Sequence, residues 1–413
     1  MGQSQLVTGN VLGGAVNDNL TRFLVMSGNL GFVTNAEERV ELPIRDAGTA
    51  SNLFVYVSTN TVSANTTVTV RKSRVDTAIT VTYASDETGI KEDTANTATF
   101  AATDEIDIEV ATGTEAGTNT ITFTAMGLSY TPSSNTISIA EHLSEATAPV
   151  NNTTYFFPPG GVTVSAFTAT EANCQYRVRQ AFTAQDFYTF MTSNARTTNL
   201  TVKTRKNGAD GAQSVVYTSG QTGAKEDTAN TDSLAVGDDY NYAVTGGTDT
   251  GNIVVPQVSS TLLSTNNSFH LIVADDAGYG VAFNQNQLMP LGGRLRGTAT
   301  EALTQVTTQF AWTASELGAY ASANTILVSD STVTFRLNGA NSPVTVAYAT
   351  LQTGLKNDSV NTAAVSAGDE INAIVSTPNS SGTLTLTWIA ITGATAVVAG
   401  VLRPFHFCVM GVQ

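Results

Sequence analysis

Short runs of alternating apolar and polar residues, broken roughly every 8–12 residues by turn formers, run the length of this chain. The pattern opens at Arg22-Phe23-Leu24-Val25-Met26-Ser27-Gly28, an apolar run stopped by glycine. Thr154-Tyr155-Phe156-Phe157-Pro158-Pro159-Gly160-Gly161 and Gln287-Leu288-Met289-Pro290-Leu291-Gly292-Gly293 read the same way. Val40, Leu42 and Ile44 then alternate with Glu41, Pro43 and Arg45, the period-two signature of a half-buried strand with one wet face. After a turn at 46–49, Leu53, Val55 and Val57 alternate again, and the matching Phe182 and Trp312 are expected as large core aromatics. A third strand at 67–71 is matched to 200–204 and 332–336.

The chain returns from that strand through Asn207-Gly208 and Asn338-Gly339. Asn-Gly is a strong hairpin signal because both residues accept a positive φ. The first stretch carries Lys72-Ser73-Arg74 instead, which predicts a different hairpin there. The returning strands end on Tyr83, Tyr217 and Tyr348. Turns at Asp104, Asp238 and Asp369, a strand of Ile106, Ile108 and Val110, a loop with a shared glycine (Gly117, Gly251, Gly382) and a closing strand such as 121–125 or 384–388 complete the series.

The series is written three times. Lys91-Glu92-Asp93-Thr94-Ala95-Asn96-Thr97 returns 134 residues later as Lys225-Glu226-Asp227-Thr228-Ala229-Asn230-Thr231, and 131 residues after that as Lys356-Asn357-Asp358-Ser359-Val360-Asn361-Thr362. Residues 37–60, 171–194 and 301–324 match without gaps. The interval is the length of a domain, far beyond a solenoid or propeller-blade period. With about eight short strands per copy and no helical periodicity, the pattern predicts an all-β chain. It reads as three tandem antiparallel β-sandwich, jelly-roll-like domains. Their expected limits are 19–150, 151–282 and 283–413, after an N-terminal arm at 1–18.

Composition narrows the function classes. The chain has 413 residues, 41% of them hydrophobic and only 13% charged, and a formal net charge of −15. Each copy can bury its own core, and an acidic chain without a basic run is not expected to bind nucleic acid. The N-terminus lacks a basic region followed by an apolar run, so no secretory signal is expected. No stretch reaches about 18 apolar residues, so no membrane span is expected. Cys174 and Cys408 lie in different copies without metal-type spacing and read as small buried hydrophobes, a mutual disulfide being the other reading.

Candidate chemistry is sparse. Glu92, Asp93 and Asn96 offer hard oxygen donors of the kind calcium takes, but the spacing is not that of an EF-hand and Glu92 becomes Asn357 in the third copy. The favoured reading is that Asp93, Asp227 and Asp358 fold back on their own backbone. Asp104, Asp238 and Asp369 read as turn residues, because sugar hydrolysis needs a second carboxylate and none recurs beside them. His142, His270 and His406 occupy inequivalent positions and form no metal-spaced pair. Tyr83, Tyr217 and Tyr348 read as core residues, with a sugar-stacking platform as the alternative. The sequons at Asn152 and Asn199 carry no weight without a secretory signal. The reading contains no catalytic, cofactor-binding or metal residue.

The succession of the alternating strand, Arg-Lys-Asn-Gly, Thr-Gly, Asp-Thr-X-Asn-Thr, Ala-Gly-Asp and Gly-Thr-Leu-Thr-Leu-Thr-Trp resembles β-sandwich modules of tailed-bacteriophage virion proteins, of the head-decoration or fibre type. The resemblance covers most of all three copies. It implies a structural, non-enzymatic role on a capsid or tail, with other virion proteins as partners and the virion as location after assembly in the host cytoplasm. A carbohydrate-binding adhesin that contacts host-surface glycans is the alternative. Symmetric virion surfaces make a homo-oligomer expected, with a trimer favoured and a pseudo-trimer within one chain as the alternative.

Overall fold

The computed structural model describes residues 5–395, apart from 8, 27, 30–33, 115–117, 134–136, 145–146, 149–152, 164–166, 265–267, 309 and 380. It is all-β and largely antiparallel. Among the described residues, the only helical elements are 3-10 turns at Glu37–Arg39, Glu171–Asn173 and Glu301–Leu303.

Two sheets recur three times. In the first copy one sheet runs in the order Gly28–Asn29, Gly9–Asn17, Thr120–Pro132, Gly48–Asn60, Gly89–Phe100. Against it lies a sheet ordered Thr21–Leu24, Glu105–Thr112, Thr66–Lys72, Val75–Tyr83. The same two orders return with Gly161–Thr163, Ile137–Ser144, Gln257–Ser264, Phe182–Met191 and Gly223–Asp227, and again with Gly293–Arg294, Ser268–Ala282, Thr383–Ala394, Trp312–Asn324 and Gly354–Asp358. The strand preceding each of the expected limits 19, 151 and 283 pairs into the copy that follows it. The segment read as an arm accordingly contributes the strands Gln5–Val7 and Gly9–Asn17.

The period-two pattern builds these strands as expected. Val75–Tyr83, Ala209–Tyr217 and Ala340–Tyr348 each bury every second residue at their C-terminal ends, because one pleat face meets the opposite sheet and the other meets water. Val68, Val70, Ile106, Ile108 and Val110 from one sheet and Leu53, Val55, Val57, Ile121 and Phe123 from the other are nearly inaccessible. Phe182 and Trp312 are buried, as their size required.

Three local expectations are corrected. Around Val40 to Ile44 the strand is only Leu42–Pro43, after a 3-10 turn. Its wet face is not wet at Glu41, which is 3% exposed because Arg74 covers it. In the second copy, the strand equivalent to 67–71 is 201–205 rather than 200–204. Arg71, Arg205 and Arg336 stand opposite Asp76, Asp210 and Asn341, and a one-residue slip would put the apolar set on the solvent face. The hairpin at Ser73-Arg74 does not differ from its relatives. Ser73 and Arg74 take φ of 45° and 67°, close to Asn207 and Gly208 at 52° and 75°. Tertiary contacts hold residues that would not choose this turn alone: Arg74 donates to both oxygens of Glu41 at 2.8 Å, and Ser73 Oγ accepts from the N–H of Glu105 at 3.2 Å.

The closing strands carry the copies' joints. Thr120–Pro132 and Thr383–Ala394 are buried on both faces over most of their length, which a strand covered on one side only cannot be. The outer face of the third copy's closing strand supplies Trp388 and Ala390 to the core of the second copy, together with Ile272 and Ala274. The first and third copies share one continuous apolar core, and Leu143 of the second packs with Val25 and Val40 of the first.

The joints are cyclic. Gly28–Asn29 of the first copy packs on Ile137–Ser144 of the second. Gly161–Thr163 of the second packs on Ser268–Ala282 of the third, and Gly293–Arg294 of the third packs on Gly9–Asn17 of the first. The three short strands also meet one another at the centre. Gly161 sits there with φ of 89°, where a Cβ would lie 2.3 Å from the carbonyl oxygen of Ala274. Only glycine fits such a backbone approach.

Candidate functional site

The thrice-written motif was the first candidate for chemistry, and its side chains are spent on the fold. Asp93 accepts hydrogen bonds from the N–H groups of Thr80, Ala95 and Asn96 at 3.0, 3.2 and 3.1 Å, and from Asn96 Nδ2 at 3.2 and 3.0 Å. Asp227 accepts the same set from Ser214, Ala229 and Asn230. Asp358 accepts it from Thr345, Val360 and Asn361. Burial pushes each carboxyl up, but the Asn amide and backbone N–H donors outweigh it and hold all three below the usual carboxylate range. Every donor turns a positive hydrogen toward the oxygens, the opposite of what a cation ligand needs. Among the described residues no group of three or more His, Cys, Asp or Glu side chains is placed to hold a metal ion.

Replacing Asp227 by Ala is expected to cost about 1–2 kcal/mol, because three partly exposed backbone N–H groups and the Asn230 amide lose their shared acceptor at once. Chelator is expected to leave the melting temperature unchanged. A calcium site filled at 100 times its dissociation constant would add about 2.7 kcal/mol. Calorimetry with and without chelator checks both, and a calcium-dependent shift abolished by Asp227→Ala would overturn this reading.

The other candidates are likewise built in. Asp104, Asp238 and Asp369 each accept from the N–H three residues earlier, at 2.6, 2.8 and 2.6 Å. Tyr83, Tyr217 and Tyr348 are fully buried. Their hydroxyls reach the carbonyls of Val55 and Gly89, Thr189 and Gly223, and Ala319 and Gly354, and burial pushes the Tyr217 phenol up to about 12. The motif lysines Lys91 and Lys225 lie over the rings of Tyr83 and Tyr217, 5.4 and 5.2 Å from their centroids. His142 and His270 are buried and pushed down to about 3 and 4 by desolvation. Cys174 packs with Phe156 and Ala243. Asn199 is exposed. Cys408, His406, Asn152 and Gly117 lie outside the described residues.

Sequence reasoning missed two sets of residues. The first is an ion pair in each copy. Arg71, Arg205 and Arg336 grip Glu37, Glu171 and Glu301, with Nε to Oε1 distances of 2.8, 2.8 and 2.7 Å. Each arginine also reaches the carbonyl of the hairpin turn, at Arg74, Gly208 and Gly339. The signal was present: the glutamate opens the ungapped match, and the arginine follows it 34, 34 and 35 residues later.

The second set is the contact between copies, for which period and spacing hold no signal. Arg45 of the first copy pairs with Glu226 of the second, and Arg179 of the second donates through Nε to Glu316 of the third at 3.0 Å. Pro43, Arg45 and Glu105 face Tyr188, Ala224 and Glu226 across one cavity, and Gln175, Arg177 and Asp239 face Tyr320, Leu355 and Trp388 across a second. Gln305, Thr307 and Glu370 face Phe54, Tyr56 and Ile90 across a third. Each copy turns one edge to the same face of the next, and the third returns to the first. The joint between the second and third copies is the most aromatic. There His270 Nδ1 lies 2.7 Å from the Tyr176 hydroxyl, and Tyr320 stacks on Trp388 at 6.4 Å.

No protein-family model matches the chain, and no curated protein matches it. Among solved structures it is similar to a xanthan lyase of Paenibacillus, at 13% identity and a TM-score of 0.18, over 71% of this chain and 30% of that one. The chain thus spans under a third of that protein's length, and a likeness this slight carries no argument about activity.

Proposed function

We propose that the chain is a non-enzymatic structural protein of a tailed-phage virion, a capsid-decoration or fibre protein that acts through its shape. One observation carries this reading: what is repeated three times is turn bracing and inter-copy joints. The Asp-Asn turns, the buried tyrosines and the Arg-Glu pairs are all engaged inside their own copy. The cyclic joints make one chain a pseudo-threefold body, which supports the pseudo-trimer alternative to the homotrimer that the sequence favoured.

The test is to locate the protein in its assembly. Antibody-labelled electron microscopy of particles from an infected culture is expected to place label on every particle, and light scattering of the purified protein is expected to give the mass of one 413-residue chain. Label on host surfaces with none on particles would favour the glycan-binding alternative and reject this reading.

A further inference from the structure

The three copies differ at one end of the third. The turn at Ala282-Phe283-Asn284, the loops at 325–330 and 349–353, and residues 377–379 and 381–382 form a single tip. It is tied by backbone hydrogen bonds from Phe283 to Gly382 at 3.0 Å, Asn284 to Pro378 at 2.8 Å, Thr325 to Thr383 at 2.9 Å and Leu351 to Ile326 at 3.1 Å. Four large apolar residues stand out from it: Phe283 at 47%, Leu327 at 59%, Val328 at 58% and Leu351 at 59% exposure. The same hydrogen bonds align the tip with its relatives. The first copy has Asp18, Ser63, Ala64 and Asp86 at these positions, and the second has Thr197, Thr198 and Gly220 at the last three. The sister copies thus carry a more polar tip, in which Asp18 is itself 7% exposed, and the third copy departs from it.

The departure at Leu351 is made against the backbone. Leu351 has φ of 61°, and its equivalents Asp86 and Gly220 have 58° and 68°. Aspartate and glycine tolerate that conformation and a leucine does not. A leucine held there and left in water has no folding reason to be present. In a chain of formal net charge −15, moreover, Asp330 is the only acidic or basic residue in the sequence of these four loops.

From this we infer that the third copy's tip is a docking knob, and that its occupant is a concave apolar pocket on another protein of the same particle. The inference rests on the proposed virion role and names the face that attaches. Size and charge choose the occupant. The four side chains expose on the order of 400 Å², the scale of a functional patch. A stable interface takes about 800 Å² from each partner, so two tips meeting would bury too little. Two chains of formal net charge −15 also repel one another. A pocket that wraps the knob supplies the missing area and excludes water from it.

The experiment gives the tip its sister copies' residues, Phe283→Asp, Leu327→Thr, Val328→Thr and Leu351→Gly, in the full chain. Co-sedimentation with particles purified without this protein is the readout. Wild type is expected to co-sediment. The fourfold variant is expected to bind at least tenfold more weakly while melting no lower than wild type, since the first two copies tolerate these residues. A control at the first copy's tip, Asp86→Gly, is expected to bind as wild type. Binding of the fourfold variant within twofold of wild type overturns the inference and leaves the virion role standing. Wild type that ignores the particles overturns the virion role and the inference with it. Wild type that dimerises in solution, when the variant does not, makes a second copy the occupant and also overturns the inference.

Discussion

Asp107→Asn is expected to stabilise the protein, by an amount that grows with pH. Asp107 is 1% exposed in the first copy, and burial, then the charges of Glu37 and Glu41, push its carboxyl up to about 8 against the pull of Arg71. The unfolded chain releases this proton near the ordinary aspartate value of about 3.9. The folded chain keeps it until about 8, so stability falls as pH rises through that window and the full penalty stands above it. At its upper bound the penalty is several kcal/mol. The other copies carry Asn241 and Asn372 here, and Asn372 Nδ2 donates to Thr304 Oγ1 at 2.9 Å and Glu301 Oε1 at 3.4 Å. A protonated Asp107 imitates that amide, which an ionised one cannot do. Melting temperatures of wild type and Asp107→Asn should coincide near pH 4, diverge up to about pH 8 and run parallel above it. A gap that does not change with pH would contradict this account.

Arg74→Gly, by contrast, is expected to destabilise the protein by about 1 kcal/mol, although it installs the residue the turn prefers. Two terms oppose each other. Glycine relieves a left-handed conformation that costs an ordinary residue about 1–2 kcal/mol. Loss of the guanidinium, however, leaves Glu41, 3% exposed, beside Glu105 without its two-pronged partner, and because Arg74 itself is 55% exposed the loss is screened to about 2–3 kcal/mol, below that of a fully buried pair. The second copy pairs Gly208 with Gln175, and the third pairs Gly339 with Gln305. Adding Glu41→Gln to Arg74→Gly should therefore restore wild-type stability or exceed it. A double-mutant cycle by denaturant titration is expected to give a coupling of about 2 kcal/mol or more between the two sites. Additive effects would show that the strained turn is held by something other than this pair.

Both predictions compare one copy with its sisters. The first copy carries Glu41, Arg74 and Asp107 where the others carry Gln, Gly and Asn. The fold tolerates either set, because an Arg-Glu pair and a Gly-Gln pair each leave the same backbone turn in place. A strict copy of the domain is not needed to keep its shape.

Much of this was legible in the residues. Strand class, the threefold repetition, the hairpins at Asn207 and Asn338 and the turn role of Asp93, Asp227 and Asp358 all rest on local rules. Period two sets the faces, Asn-Gly sets the turn, and a short carboxylate finds the N–H groups two and three residues ahead. Local rules misread Ser73-Arg74, where a contact with Glu41, distant in sequence, overrides turn preference. They also misplaced the second copy's strand by one residue, since Thr and Val suit either face.

What only the tertiary structure decided is how the three copies meet. Leu128, Trp388 and Ala390 obey the strand pattern, yet their strands are buried on both faces, the outer one by strands or copies outside the local pattern. Periodicity reports how many faces of a strand are dry and is silent on what covers them. The cyclic joints follow from the positions of surfaces more than a hundred residues apart, as at Arg45 and Glu226 or Arg179 and Glu316, and a one-dimensional pattern carries no term for that distance.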